Sequence, residues 1–186
     1  MITLVEHNVE HNYKIYRSEV IVQNKDAMVQ RINDAHETLM RHYGHVGDNS
    51  TWLYRTYNIF SLVGPSEPFH ELYCDLIQII KSFWSGEKYM WFQSWLNFHA
   101  PNEVLDWHNH EWPVHGYISI DPKESNTVFT DYVIKNEVGN IYIGPGFRKH
   151  KVEVLKDYGG RRITLGFDVT NQQKLFNNLM SLIPIQ

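Results

Sequence analysis

The chain has 186 residues, a formal charge of −4, 42% hydrophobic and 14% aromatic residues, a composition that fits one globular domain with a sizeable core and not a disordered chain. The slight acidity excludes the broad basic surface that draws nucleic acid or anionic membranes, so no general affinity for either is expected. No apolar run reaches the roughly 18 residues of a membrane span, no signal-peptide pattern opens the chain, and the lone Cys74 excludes an intrachain disulfide or a thiolate-rich metal site; a cytoplasmic location is expected.

Periodicity predicts a helix from Lys25 to Tyr43, with Met28, Val29, Ile32, Ala35, Leu39 and Met40 near 3.6 spacing. Asn24 would cap it and Gly44 end it. Gly47 to Ser50 reads as a loop and Thr51 to Leu62 as a strand. A second helix is predicted from Ser66 to Ser85, with Ser66 as N-cap, Pro68 in the first turn and Gly86 as its stop. From Lys88 onward short runs rich in Val, Ile, Thr and aromatics alternate with turn clusters. The expected strands are Tyr89 to His99, His115 to Asp121, Thr127 to Lys135, Asn140 to Gly144, His150 to Leu155 and Arg161 to Thr170. Asn171 to Leu182 reads as a short closing helix. Helices first and strands later disfavour a doubly wound sheet. The expectation is one domain over 1–186: a helical support region at 1–87, a jelly-roll core at 88–170 and a tail at 171–186.

Among eleven histidines, His108 and His110 stand at i and i+2, a spacing that puts both imidazoles on one face of a strand. His150 opens another alternating run forty residues later. Such a pair plus a distant third ligand suits a double-stranded β-helix, the jelly-roll or cupin architecture, where distant strands lie side by side. Three ligands on one face leave the other positions of a metal open, the mark of a catalytic site. Twelve residues beyond His150, Arg162 and Thr164 share one strand face while Ile163 and Leu165 take the other. An inward arginine is costly without an anion to meet it, and a guanidinium fork with a nearby hydroxyl is a carboxylate receptor. His115 reads as a satisfied core histidine or a pocket-lining one.

With Ser94-Trp95-Leu96-Asn97, Trp107-His108-Asn109-His110, Gly116-Tyr117-Ile118, Lys149-His150-Lys151-Val152 and Arg162-Ile163-Thr164-Leu165-Gly166-Phe167 in this order, the chain resembles the iron(II)- and 2-oxoglutarate-dependent dioxygenases. It is most similar to small phage and bacterial oxygenases with a His-x-His signature. The resemblance covers about residues 90–169. It implies Fe(II) held by His108 and His150, to which the residues themselves add His110 as third ligand, and 2-oxoglutarate as co-substrate with oxygen, its distal carboxylate on Arg162 and Thr164. Asn97 and Tyr117 are implied as further co-substrate contacts. His110 stands where most such proteins carry Asp or Glu. Asp106 offers a carboxylate as an orienting acceptor or substitute ligand, and Glu111 would need a turn to reach the metal. Two other readings fit the residues: a three-histidine cupin-like metalloenzyme that needs no 2-oxoglutarate, and a non-catalytic β-sandwich binding module. The primary substrate is not legible.

Overall fold

A computed structural model describes residues 1–43, 57–101, 103, 105–171 and 181–185. The elements in chain order are β1 (Ile2–Asn8), β2 (Tyr13–Ser18), α1 (Glu19–Tyr43), α2 (Ile59–Leu62), α3 (Glu67–Phe83), β3 (Met90–His99), β4 (Val114–Asp121), β5 (Ser125–Phe129), β6 (Val133–Asn136), β7 (Asn140–Pro145), β8 (His150–Val154), β9 (Arg162–Thr170) and β10 (Ile183–Ile185). A seven-stranded sheet runs β1-β2-β7-β4-β9-β3-β10, and a three-stranded sheet runs β6-β5-β8. All pairings are antiparallel. The architecture is the expected jelly-roll double-stranded β-helix, with helices covering the outer face of the large sheet. No described helix is long and apolar enough to cross a membrane.

Period-two alternation on the central strands divides the interior in two. Ile163, Leu165, Phe167 and Val169 of β9, with Val114, Ile118 and Ile120 of β4, pack against Ile32 and Leu39 of α1 and Leu72, Leu76, Ile79 and Ile80 of α3. The opposite face looks between the sheets, where Tyr13, Ile15, Tyr117, Phe129, Ile134 and Tyr142 form a smaller aromatic cluster.

Several elements differ from the sequence reading. The first eighteen residues are not part of a helical region: β1 and β2 extend the large sheet through the β2–β7 pairing. α1 starts at Glu19, and Asn24, expected to cap it, lies at a break inside it with φ −117 and ψ 18. Its side-chain amide donates to the Val20 carbonyl at 2.9 Å, offering the backbone a local alternative to helix. Ile59–Leu62 is helical rather than extended, because the Asn58 side chain accepts from the Phe60 amide at 3.2 Å and caps a turn. Ser66 occupies the N-cap of α3 without a side-chain cap bond, and Gly86 lies two residues past the C-cap Trp84 with φ +100. The run from Thr127 to Lys135 is a hairpin, β5 and β6, not one strand. Ile183–Ile185 pairs with β3. The expected stop at Gly44, the loop at 47–50, most of the strand at 51–62 and most of the closing helix fall outside the described residues.

Phe167 is fully buried on the helix-facing side of β9. Phe167→Ala should cost about 3–5 kcal/mol in denaturant unfolding, whereas Val133→Ala, at a position 57% exposed, should stay within about 0.5 kcal/mol. Equal effects at the two positions would contradict this division of the interior.

Candidate functional site

The segment carrying His108 and His110 is not the regular strand that the i, i+2 spacing suggests. A single bridge fixes it: the His108 amide donates to the His150 carbonyl at 2.9 Å and the His150 amide returns the bond at 2.8 Å. His110 is set by a second contact, its amide donating to the Gly146 carbonyl at 2.9 Å. Gly146 must be glycine here, since a Cβ would stand 1.9 Å from the Trp112 carbonyl oxygen. The three imidazoles therefore converge through loop contacts, with ring centroids 4.3 Å apart for His108 and His150, 5.4 Å for His108 and His110, and 5.6 Å for His110 and His150. One ligand atom from each lies within 4.8 Å of the others.

Each of the three rings is tied through Nδ1 to an oxygen acceptor. His108 Nδ1 donates to the Asp106 carbonyl at 2.7 Å, His150 Nδ1 to the Arg148 carbonyl at 3.0 Å, and His110 Nδ1 to Asp168 at 3.1 Å. Backbone carbonyls only accept, so Nδ1 carries the proton and Nε2 the lone pair. A metal-ligating histidine is oriented in this way. Burial lowers the His108 pKa, and lowers that of His150 to about 2, with the neighbouring His115 and His108 adding to the shift. At neutral pH these two rings are uncharged, the state that binds a cation. The donor set, three imidazole nitrogens at a cavity wall, fits iron, zinc or another first-row metal.

Asp168 was not singled out from the sequence. It lies on β9 in the same parity as Arg162 and Thr164, is 2% exposed, and reaches both His110 and the Nδ1 of His115, the latter at 2.9 Å. Burial alone would raise its pKa, but the contacts with His110 and His115 outweigh that and hold the carboxyl below its usual range. His115 is pushed down to about 4, first by burial and then by His110. It is thus both a buried, bonded histidine and part of the cavity wall, stacked on His110 at 3.7 Å and 10°. Trp95 completes this end. Its indole lies over Gly166, where a Cβ would come within 2.4 Å of the ring, and it stacks on His110 at 5.7 Å and on His115 at 6.1 Å.

The other end of the cavity is built on Arg162, which is 2% exposed. The register pairs it with His99, whose Nδ1 accepts a short hydrogen bond from its Nη2. Burial, then Arg162 and Arg161, hold His99 down to about 3, so the clamp is neutral. Burial lowers Arg162 only to about 10, so the guanidinium stays charged at neutral pH. Among the described residues no carboxylate lies within ion-pair distance of it. Asn97 Nδ2 donates to the Thr164 hydroxyl at 3.3 Å, and burial raises the Tyr117 phenol well above its usual range. One cavity of about 480 Å³ collects His108, His110 and His150 with Arg162, Thr164, Asn97 and Tyr117. Thr127 and Asn136, from the small sheet, also line it and were not anticipated. The Asp106 carboxylate turns away to accept from the Trp107 amide at 2.7 Å, so only its carbonyl serves His108. Glu111 lines the cavity without joining the cluster of closely spaced ligand atoms.

No protein-family model matches the sequence, and no curated protein matches it. The fold is similar to several solved structures. SnoK, a non-haem α-ketoglutarate-dependent carbocyclase from nogalamycin biosynthesis, aligns with TM-score 0.59 at 11% identity, over 94% of this chain and 92% of that one. A prolyl-4-hydroxylase from Pseudomonas putida aligns with TM-score 0.59 at 12% identity, over 87% and 89%. AviO1 from Streptomyces viridochromogenes Tue57 gives 0.58 at 14%, over 88% and 91%. At such identities the likeness shows the fold, a jelly roll that houses 2-oxoglutarate- and iron-dependent enzymes among others.

His99 makes the stability of this site depend on pH. Its folded pKa of about 3 lies below the ordinary 6.5, so the unfolded chain takes up the proton first as pH falls. Its contribution is complete above about pH 6.5 and is lost progressively down to about pH 3. His99→Asn keeps an acceptor near the Nδ1 position and does not titrate. The loss of unfolding free energy between pH 7 and about pH 4.5 should shrink by about 2 kcal/mol in this variant. An identical acid loss in the two proteins would contradict the buried neutral clamp.

Proposed function

We propose that this protein is an iron(II)- and 2-oxoglutarate-dependent oxygenase, with His108, His110 and His150 holding the metal and Arg162 holding the co-substrate. The observation that carries this reading is the buried Arg162, charged, clamped by a neutral histidine and lacking a carboxylate partner among the described residues, in the same cavity as the three oriented imidazoles. A guanidinium so placed leaves a positive charge that an entering carboxylate offsets.

When bound, iron(II) with 2-oxoglutarate and oxygen supplies oxidative decarboxylation to succinate, coupled to oxidation of a second substrate. The residues of the chain do the rest. His108 and His150 are aimed by backbone carbonyls and His110 by Asp168. Arg162 would pair with the distal carboxylate through its planar fork, and the Thr164 hydroxyl, held by Asn97, would add a bond. Tyr117 and Trp95 wall the cavity and limit its water. The neutral ligand set also suits a metalloenzyme that works without 2-oxoglutarate, such as a zinc hydrolase, and Arg162 separates the two readings.

With Fe(II), 2-oxoglutarate, oxygen and ascorbate as reductant, the wild-type protein should form succinate even without its primary substrate, at a slow uncoupled rate. Arg162→Ala should reduce that turnover about a hundredfold or more, since removing one side of a buried charge contact costs about 2–5 kcal/mol, while metal binding persists. Metal-loaded wild type that neither binds 2-oxoglutarate nor forms succinate would contradict the reading. So would an Arg162→Ala protein that turns over normally.

A further inference from the structure

We infer that Asp168 is a positioning residue that fixes the Nδ1–H tautomer of His110 and supplies, one hydrogen bond away from the metal, the negative charge that a carboxylate ligand would otherwise bring. This inference rests on the metal reading of His108, His110 and His150. His110 occupies the place where the resembling oxygenases have Asp or Glu, so all three protein ligands are neutral. A carboxylate is nevertheless present. Asp168 Oδ1 and Oδ2 both lie 3.1 Å from His110 Nδ1, and Oδ1 lies 2.9 Å from His115 Nδ1. These contacts span 58 and 53 residues of sequence, so the fold brings them together deliberately through β9 and its neighbour β4, where His115 and Asp168 are in register.

The chemistry of the group makes this more than a tether. An ionised carboxylate only accepts hydrogen bonds, so both imidazoles must donate from Nδ1. The His110 lone pair is then on Nε2, on the opposite side of the ring from Asp168. An imidazole hydrogen-bonded to a carboxylate is a more basic and more anionic ligand than one bonded to a neutral acceptor. The other two rings meet neutral backbone carbonyls. The negative charge thus enters at His110, the position that departs from the family pattern. His115 donates to the same carboxylate, and its ring, stacked on His110, keeps the carboxylate in place.

The amide variant Asp168→Asn separates tethering from electronic control. It keeps the shape and a carbonyl oxygen that can accept from both Nδ1–H groups, as Oδ1 is placed to do, but it removes the negative charge. The experiment uses nitrogen-15 correlation spectra of the histidine rings in metal-free protein, with His110→Gln to assign the His110 signals, and Co(II) titration followed by visible absorption. In wild type, His110 should be protonated at Nδ1 before any metal is added. In Asp168→Asn, Co(II) affinity should fall ten- to a hundredfold, with cooperative thermal unfolding retained. Wild-type His110 protonated at Nε2 overturns the inference without recourse to any variant. Co(II) binding that His108→Ala abolishes but Asp168→Asn leaves at the wild-type level overturns it while leaving the metal reading intact. Wild type that binds no Co(II) overturns the metal reading, and the inference with it.

Discussion

The alternation of β9 is the constraint on which both the core and the site depend. Its odd-numbered residues, Ile163, Leu165, Phe167 and Val169, close the interior against the helices. Its even-numbered residues, Arg162, Thr164, Gly166 and Asp168, face between the sheets. A slip of one residue would expose the first set to the polar cavity and bury two charges among the helices, so hydrophobic pairing and site assembly fix the same register. Pairing with β3 then sets His99 against Arg162, Asn97 against Thr164 and Trp95 against Gly166, and pairing with β4 sets His115 against Asp168. Each inner residue of β9 thereby receives a partner suited to it: an acceptor for the guanidinium, an amide for the hydroxyl, a flat ring over the glycine and an imidazole for the carboxylate.

Burying Arg162 and Asp168 on one strand is expensive, since each ion loses its hydration. Six residues apart on one strand, they stand roughly 20 Å from each other, too far for an ion pair. Both are instead solvated by imidazoles: His99 accepts from Arg162, while His110 and His115 donate to Asp168. The neutral His99 satisfies Arg162 without cancelling its charge, so the cavity keeps a positive end, while Asp168 stands behind the cavity wall that His110 and His115 form. Under the proposed function each has a use. Arg162 receives an anion, and Asp168 strengthens the His110 imidazole as a ligand.

Much of this was legible because it is written at short range. The sequence spacing of His108, His110 and His150 and the parity of Arg162 and Thr164 are local facts, and the structure gathers all five at one cavity. Most strands after residue 88 could be seen for the same reason. What escaped depends on nonlocal pairing. Asp168 shares the parity of Arg162 and Thr164, so it was within reach, but only the β4 and loop contacts show which histidines it serves. Thr127 and Asn136 enter the cavity because β5 and β6 form the small sheet opposite. Residues Ile2–Asn8 carried little strand signal because five of the seven are exposed, and their pairing begins a chain of contacts through β2 to β7. Convergence of His108 and His110 was foreseen for a partly mistaken reason: a bridge to His150 and the tight approach at Gly146, not a continuous strand, bring the rings together.

A crystal structure of the protein with redox-inert Mn(II) and 2-oxoglutarate tests the central claim most directly. The metal should be bonded to Nε2 of His108, His110 and His150, with the keto-acid end of the co-substrate on the metal and its distal carboxylate on the Arg162 guanidinium. A metal held by Asp168 or Glu111 in place of His110, or a co-substrate carboxylate bound away from Arg162, would contradict it.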